Sequence, residues 1–386
     1  LRGADWNDAL DMAAERGESV AFTCAYAGNL MELANMILLF SSLHPDQTVE
    51  LLEELEILLS TDLDSYDSIS QKQEILANYT NRCRHNISGK RRSFSLSFIA
   101  ANLIQKATWL TEYVRTQEWI EGSSDEGWFN SYYDNHGNAV EGFHQDHVRM
   151  MLTGQVFAIM GYVATDEQIQ KITKSADHYL YEPKIGGYRL NTDFHELKFD
   201  MGRMFGFAYG EKENGAVFSH MTVMYANALY RRGFVKEGWK ALKTLADTAL
   251  DFDTSRIYPG IPEYFRSDGR GMYHYLTGAA SWYMMTIITE VFGVHGASGD
   301  LVFHPKLLAE QFTSDGTASI TVTFAGKHLD ITYVNKNNKD FGVYSVISAV
   351  CDNTELTIAE NSYAVLPRKI LNKLSNKPHL VTITLI

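Results

Sequence analysis

The sequence predicts a mainly α-helical fold, an α/α barrel, followed by a small C-terminal antiparallel β-sandwich. From Ser19 to about Gly296, helical stretches alternate with loops that are rich in Gly, Asp, Asn and Tyr. These stretches follow one another in pairs, which favours a barrel whose loops at one end carry the chemistry. Beyond Gly299 the residue pattern changes, and small polar residues alternate with apolar ones as in half-buried strands. The predicted domains are therefore residues 1–298 and 299–386.

The individual elements follow from the apolar spacing of each stretch and from the residues that punctuate it. The predicted helices span residues 19–40, 48–59, 65–84, 94–115, 145–162, 166–180, 216–232, 235–250 and 276–292. The predicted strands span residues 317–324, 328–333, 344–350, 355–358 and 380–386, with turns at 335–339 and 352–353. In the 94–115 helix, Phe94, Phe98 and Ala107 are among the residues that recur at the three- and four-residue steps of one buried face.

Composition and charge exclude several classes of function. The chain has 386 residues and a formal net charge of −13, which argues against nucleic-acid and anionic-membrane partners because either would need a basic face. The cysteines are Cys24, Cys83 and Cys351, too few and too scattered for a disulfide framework or a cysteine-based zinc site. We expect a cytoplasmic protein without a membrane span. Because the chain begins at Leu1 inside a motif, we also expect it to be part of a longer polypeptide.

The first motif is Gly3-Ala4-Asp5-Trp6-Asn7-Asp8-Ala9-Leu10. The indole of Trp6 offers a flat apolar face for a pyranose ring, and a carboxylic acid beside it can protonate a glycosidic oxygen. The acid is Asp8 or Asp5, and Asp5 and Asn7 also suit sugar hydroxyls. An ordinary turn with helix-capping residues would explain the same tetrapeptide.

Three widely separated segments carry a resemblance to a known family. They are Gly3-Ala4-Asp5-Trp6-Asn7-Asp8, Glu213-Asn214-Gly215-Ala216-Val217-Phe218-Ser219-His220 and Tyr275-Leu276-Thr277-Gly278-Ala279-Ala280-Ser281-Trp282. Together they resemble the signature segments of glycoside hydrolase family 94, which contains cellobiose, cellodextrin, chitobiose and 1,2-β-oligoglucan phosphorylases and a domain of cyclic β-1,2-glucan synthases. Residues 258–264 and 269–274 resemble the 1,2-β-glucan branch more than the cellobiose branch.

The resemblance assigns roles to residues of this chain. It implies that Asp8 is the general acid and that phosphate binds to His220, Thr277 and the backbone N–H of Gly278. It places sugar contacts at Asp5, Trp6, Glu213, Glu263 and Tyr264. An ordinary aspartic acid is almost wholly ionised at neutral pH, so the acid role requires a site that favours the protonated form. Arg16 and Arg270 are candidates for completing the phosphate site.

No cofactor is expected, because inorganic phosphate is a co-substrate, and no metal is needed by this chemistry. The run His144-Gln145-Asp146-His147 has spacing that could suit a metal, but a polar helix start explains it better.

The expected function is inverting phosphorolysis of a β-linked gluco-oligosaccharide, most specifically a β-1,2-glucan oligomer, to α-glucose 1-phosphate and a shortened sugar. The resemblance adds an N-terminal β domain, helical linkers and the first helices of a six-hairpin barrel, and it is consistent with a homodimer. Two alternatives stay open: an inverting hydrolase on the same barrel, which needs a base carboxylate, and a noncatalytic carbohydrate-binding fragment.

Overall fold

The computed structural model describes residues 8–59, 64–123, 125–144, 146–258, 260–275, 277–360 and 362–386. These residues form two compact units. The first contains the described residues up to Ser175 together with Glu196–Arg203, and the second contains Ala176–His195 and Met204–Ile386. Because the strand-rich C-terminal residues fall in the second unit with several helices, a separate domain from residue 299 stays a prediction. Within the described ranges, no helix is long and apolar enough to cross a membrane.

Five helices start in the first unit. They are α1 (Val20–Leu43), α2 (Ile69–Cys83), α3 (Leu96–Gln117), α4 (Leu152–Met160) and α5 (Asp166–Tyr179), of which α5 runs on into the second unit. The hydroxyl of Ser19 caps α1 by accepting from the backbone N–H of Phe22 at 3.1 Å. α1 packs against α3 and α4, and a Cβ on Gly28 would lie 2.7 Å from the Cα of Gly161 just beyond α4. Glycine at these two positions therefore permits the close approach.

Short antiparallel pairs of strands precede or follow these helices. The strands of the first unit are Glu18–Ser19, Thr48–Leu52, Arg91–Ser95, Trp119–Glu121, Gly127–Phe129, Tyr132–Tyr133, Gly142–His144 and His147–Arg149. The helix predicted over residues 48–59 is wrong. Its first half is a strand paired with Arg91–Ser95, because Thr48 and Val49 are β-branched residues that suit a pleated surface, and its second half is the 3₁₀ helix Glu53–Ile57.

The helices of the second unit begin with α6 (Ser219–Arg231) and α7 (Val235–Leu250), which pack against each other. α8 (Phe252–Ser255), α9 (Gly278–Thr286) and α10 (Arg368–Leu371) follow, and a π-helical turn over Ile287–Val291 extends α9. Within the described residues, the other 3₁₀ segments are Asp64–Tyr66, Pro183–Ile185, Arg203–Gly206 and Ala309–Gln311. α6 also packs against α9, and its central residues are almost all buried.

The C-terminal residues form two sheets. The four-stranded sheet has the order Val294–Ala297, Asp300–Phe303, Tyr363–Leu366 and Thr357–Ala359. The five-stranded sheet has the order Thr317–Phe324, Lys327–Val334, His379–Leu385, Val346–Cys351 and Thr354–Glu355. The predicted purely antiparallel arrangement is wrong at one pair, since Lys327–Val334 and His379–Leu385 run parallel. The intervening residues supply the long crossover that a parallel pair requires.

Candidate functional site

A three-stranded antiparallel sheet in the second unit joins the segments that the sequence singled out. Its strands are Val217–Phe218, Tyr264–Phe265 and Gly271–Met272, with Phe218 opposite Tyr264 and Tyr264 opposite Met272. The first strand leads directly into α6, and the third is followed closely by the start of α9. Segments that are separated by more than forty residues in sequence therefore meet at one place.

His220 contacts the first residue of α9. An added Cβ on Gly278 would lie 2.6 Å from Cε1 and 2.8 Å from Nδ1 of His220, so the glycine packs directly on the imidazole. Two aromatic rings also lie near the imidazole. The ring centroids of Phe218 and Trp282 are each 5.9 Å from that of His220. The structure thus brings together His220 and Gly278, which were both predicted to bind phosphate.

Thr277 is the N-cap residue of α9. Its backbone is extended, and its hydroxyl oxygen accepts a hydrogen bond from the backbone N–H of Ala279 at 3.3 Å. The hydroxyl hydrogen can still be donated to a ligand. Helix geometry leaves the first backbone N–H groups, including that of Gly278, without intrahelical acceptors, and the helix dipole favours an anion at this end. The start of α9 therefore offers oxyanion donors beside an imidazole.

Glu213 and Tyr264 form a second cluster. The hydroxyl of Tyr264 donates to Oε1 of Glu213 at 2.7 Å, and its ring stacks on Phe218 with centroids 4.8 Å apart. Tyr273 adds an edge contact to the Tyr264 ring at 5.8 Å. A carboxylate held beside aromatic rings is an arrangement that suits sugar hydroxyls and ring faces.

Glu263 is held through its main chain against Ser219, the first residue of α6. It immediately precedes the strand Tyr264–Phe265. The charge of Glu263 acts on the His220 imidazole. The backbone of Glu263 is fixed by bonds from Ser219 N to its carbonyl at 2.9 Å and from its N–H to the Met272 carbonyl at 3.1 Å.

Three buried polar atoms in these clusters have no hydrogen-bond partner within the described residues. They are Nε2 of His220, Oε2 of Glu213 and Oε2 of Glu263. Burial of such atoms is costly unless they are paired, which makes them candidates for ligand contacts. Burial also lowers the pKa of His220, and the Glu263 carboxylate only partly opposes this shift. At neutral pH the imidazole is therefore an uncharged donor.

Asp8 lies in the first unit and carries an ion pair that the sequence did not predict. Its Oδ1 bonds to the guanidinium of Arg203, whose backbone N–H donates to Asp11 Oδ1 at 2.9 Å. The Asp8 side chain is only 16% exposed, whereas Arg203 is 67% exposed. If Asp8 is to donate a proton to a sugar oxygen, this ion pair has to open, because Oδ1 is bonded to the guanidinium. Asp5 and Trp6 lie outside the described residues.

The two arginine candidates for the phosphate site lie in different units. Arg16 packs against Gly137 in the first unit, and Arg270 is exposed on the turn between two strands of the second unit. His144 and His147 face each other across a β-hairpin, so the predicted helix start at residue 145 is wrong and α4 begins only at Leu152. Among the described residues, no group of three His, Cys, Asp or Glu side chains could hold a metal ion.

Comparison with known proteins gives a match to the family described as "Glycosyl hydrolase 94 superfamily, catalytic domain" over residues 99–293. This range contains every predicted phosphate and sugar residue of the second unit, but it does not contain Asp8.

Curated relatives include three phosphorylases. A cellobionic acid phosphorylase of Neurospora crassa is 27% identical over 221 residues, which are 53% of this chain and 27% of the relative. A solabiose phosphorylase of Paenibacillus borealis is 23% identical over 253 residues, which are 64% of this chain and 32% of the relative. An N,N'-diacetylchitobiose phosphorylase of Vibrio furnissii is 23% identical over 250 residues, which are 62% of this chain and 30% of the relative. The chain thus spans about a third or less of the length of these relatives.

Proposed function

Since this chain belongs to the glycosyl hydrolase 94 superfamily, we propose that it is the α/α-barrel part of an inverting glycoside phosphorylase. In the whole protein, phosphate would attack the anomeric carbon of a β-linked gluco-oligosaccharide. The products are α-glucose 1-phosphate and a shortened sugar, and the reaction is reversible. The observation that carries the proposal is the direct contact between His220 and the N-terminus of α9. That contact assembles the donors an attacking oxyanion needs.

Phosphate would bind to three donors of different kinds. His220 supplies a ring N–H, Thr277 supplies its hydroxyl hydrogen, and Gly278 supplies a backbone N–H. Because burial keeps the imidazole uncharged, the anion itself would have to draw a proton onto His220 if that residue is to carry charge in the complex.

The sugar would be held by the Glu213 cluster and cleaved with Asp8 as the acid. Oε1 of Glu213 is occupied by Tyr264, which leaves Oε2 for a sugar hydroxyl. Asp8 would protonate the leaving oxygen once its pair with Arg203 opens. A single displacement opposite this proton donor explains inversion.

The preference for β-1,2-linked glucans rests on the sequence of residues 258–264 and 269–274, and it is part of the proposal. The relatives named above are phosphorylases of cellobionic acid, solabiose and N,N'-diacetylchitobiose. A panel of β-1,2-, β-1,3- and β-1,4-linked oligosaccharides would separate these specificities.

A hydrolase is the second candidate, because Glu263 provides a carboxylate whose charge acts on His220. An inverting hydrolase needs such a base to activate water on the face opposite the acid. Glu263 is therefore the candidate base for this alternative.

The deciding experiment measures cleavage by the full-length protein with and without phosphate. We expect no cleavage in phosphate-free buffer, α-glucose 1-phosphate when phosphate is added, and free glucose when arsenate replaces phosphate. Asp8→Asn should abolish phosphorolysis, because the amide keeps the shape but has no transferable proton. Rapid release of reducing sugar that is indifferent to phosphate and arsenate would establish the hydrolase instead. Sugar binding without any cleavage would indicate a noncatalytic protein.

A further inference from the structure

A surface groove along α7 contains residues that the proposed reaction does not use. The groove has a volume of about 550 Å³ and is lined by α7, by residues 308–310 and by Asp340. Its volume falls within the range of small-molecule sites. The α7 residues recur at the three- and four-residue steps of a single helix face; they are Lys236, Trp239, Lys240, Lys243, Thr244 and Asp247. None of these residues belongs to the clusters of His220 or Glu213.

Trp239 gives the α7 groove an apolar wall. The residue is partly exposed, whereas Nε1, the only polar atom of its side chain, is buried. The part of the indole that reaches the surface is therefore carbon. An aromatic carbon surface of this kind is a stacking platform for the apolar face of a pyranose ring.

The charged side chains of the α7 groove compensate one another. Its lining contains three lysines and three acidic residues. Each lysine has a carboxylate partner within 3.4 Å, which is Asp340 for Lys236, Asp177 for Lys240 and Asp247 for Lys243. An anionic ligand would therefore meet no uncompensated positive charge among these lysines. An apolar ligand would remove the ion pairs from water, which is costly.

The same ion pairs suit the hydroxyl groups of a neutral sugar. A lysine ammonium carries several N–H donors, a carboxylate has several acceptor positions, and one contact between them uses only part of each. The walls of the α7 groove thus present donors beside acceptors, and a sugar hydroxyl can both donate and accept. The carbon surface of Trp239 together with these polar groups is the combination that a neutral polyhydroxylated ligand requires.

We propose that the α7 groove is a second binding site for the β-linked gluco-oligosaccharide, with Trp239 as its stacking platform. This inference rests on the proposed function for its choice of ligand, because the groove by itself selects a neutral polyhydroxylated molecule. A second site on the same chain raises the effective concentration of a long glucan near the protein without any change in the reacting residues.

The test is titration calorimetry of the full-length protein with β-1,2-, β-1,3- and β-1,4-linked glucotetraoses. Phosphate-free buffer leaves the proposed reaction without its nucleophile. We expect the tetraose of the accepted linkage to bind at two sites per chain. Trp239→Ala should weaken one of them at least about tenfold and leave the other unchanged, because truncation of an aromatic anchor removes a dominant contact. Lys243→Gln, at a half-exposed side chain, should weaken the same site at least about threefold.

Trp109→Ala is the matched control, because Trp109 is a partly exposed tryptophan of the first unit whose Nε1 donates to Asp67 at 2.9 Å. It should leave both sites unchanged. Binding that Trp239→Ala does not alter would overturn the inference, and the proposed function stands if Glu213→Gln weakens that binding.

Other outcomes separate the α7 groove from the reaction. Binding that is lost only in Trp239→Ala, without phosphorolysis of any of the three sugars, would support the groove and remove the proposed function. The absence of any binding to the unaltered protein would remove both. Should Trp239→Ala fail to fold, the number of sites on the unaltered protein and the affinity of Lys243→Gln still decide.

Discussion

Gly278→Ala adds a single methyl group at the contact on which the anion site depends. Ordinary van der Waals contact begins near 3.4 Å, and the new Cβ would stand 2.6 Å from Cε1 of His220, a shortfall of 3.4 − 2.6 = 0.8 Å. The imidazole has little room to retreat, because it is mostly buried and contacts the rings of Phe218 and Trp282. Either the ring or the start of α9 must therefore move by most of an ångström.

Two opposing effects set the change in the free energy of unfolding that we expect for Gly278→Ala. Overpacking of this kind costs about 1–3 kcal/mol. Alanine is favoured over glycine in a helix by up to about 1 kcal/mol, which offsets part of that cost. The free energy of unfolding should thus fall by about 2 kcal/mol or less. A displacement of this size in a binding site can cost up to about a hundredfold, so we expect the Kd for phosphate to rise at least about tenfold.

The assay pairs phosphate titration calorimetry with chemical denaturation, and Gly206→Ala is the control. Gly206 lies in the same unit, and a Cβ there would have no atom within 4 Å. The control should keep the phosphate affinity of the unaltered protein. Unchanged phosphate affinity in Gly278→Ala would refute the contact between α9 and His220, and equal weakening in both variants would show that the effect is not local.

Three further changes test other parts of the molecule. Tyr264→Phe removes the hydrogen bond to Glu213, worth about 1.5–3 kcal/mol, and should raise the oligosaccharide KM at least about tenfold without changing the phosphate KM. Arg203→Gln removes the ion pair that must open before Asp8 can donate to the sugar, so kcat for phosphorolysis should rise; an unchanged kcat would place the acid elsewhere. Burial raises the pKa of Glu141 from 4.5 to about 8, so stability should fall as pH rises across that interval, and denaturation of Glu141→Gln should show a shallower fall.

Sequence reasoning succeeded where a local pattern determines the structure. α7 has the predicted bounds, Val235–Leu250, because its buried residues recur on one face. The strand Thr317–Phe324 also matches its prediction, since it alternates small polar and apolar residues. Most of the helices precede residue 293 and the C-terminal region is built of sheets, as predicted, although the α/α barrel remains a prediction.

Sequence reasoning failed where distant contacts override local preference. Phe94 was placed on the buried face of a helix, but it belongs to a strand that pairs with Thr48–Leu52, and Phe98 is 38% exposed. The parallel strand pair of the C-terminal sheet depends on a crossover that no short window of sequence displays. Likewise, Arg203 bonds to Asp8 across 195 positions, and no motif surrounds it.

What occupies the place beside His220 decides between phosphorolysis and hydrolysis. Phosphate would itself attack the sugar there, whereas an inverting hydrolase would need a water molecule activated by a base. Thr277 and Gly278 present helix-terminal donors that a water molecule would leave partly unused, since water has fewer acceptor sites than a phosphate. The donors at this place therefore favour an anion over water, and with it phosphorolysis over hydrolysis.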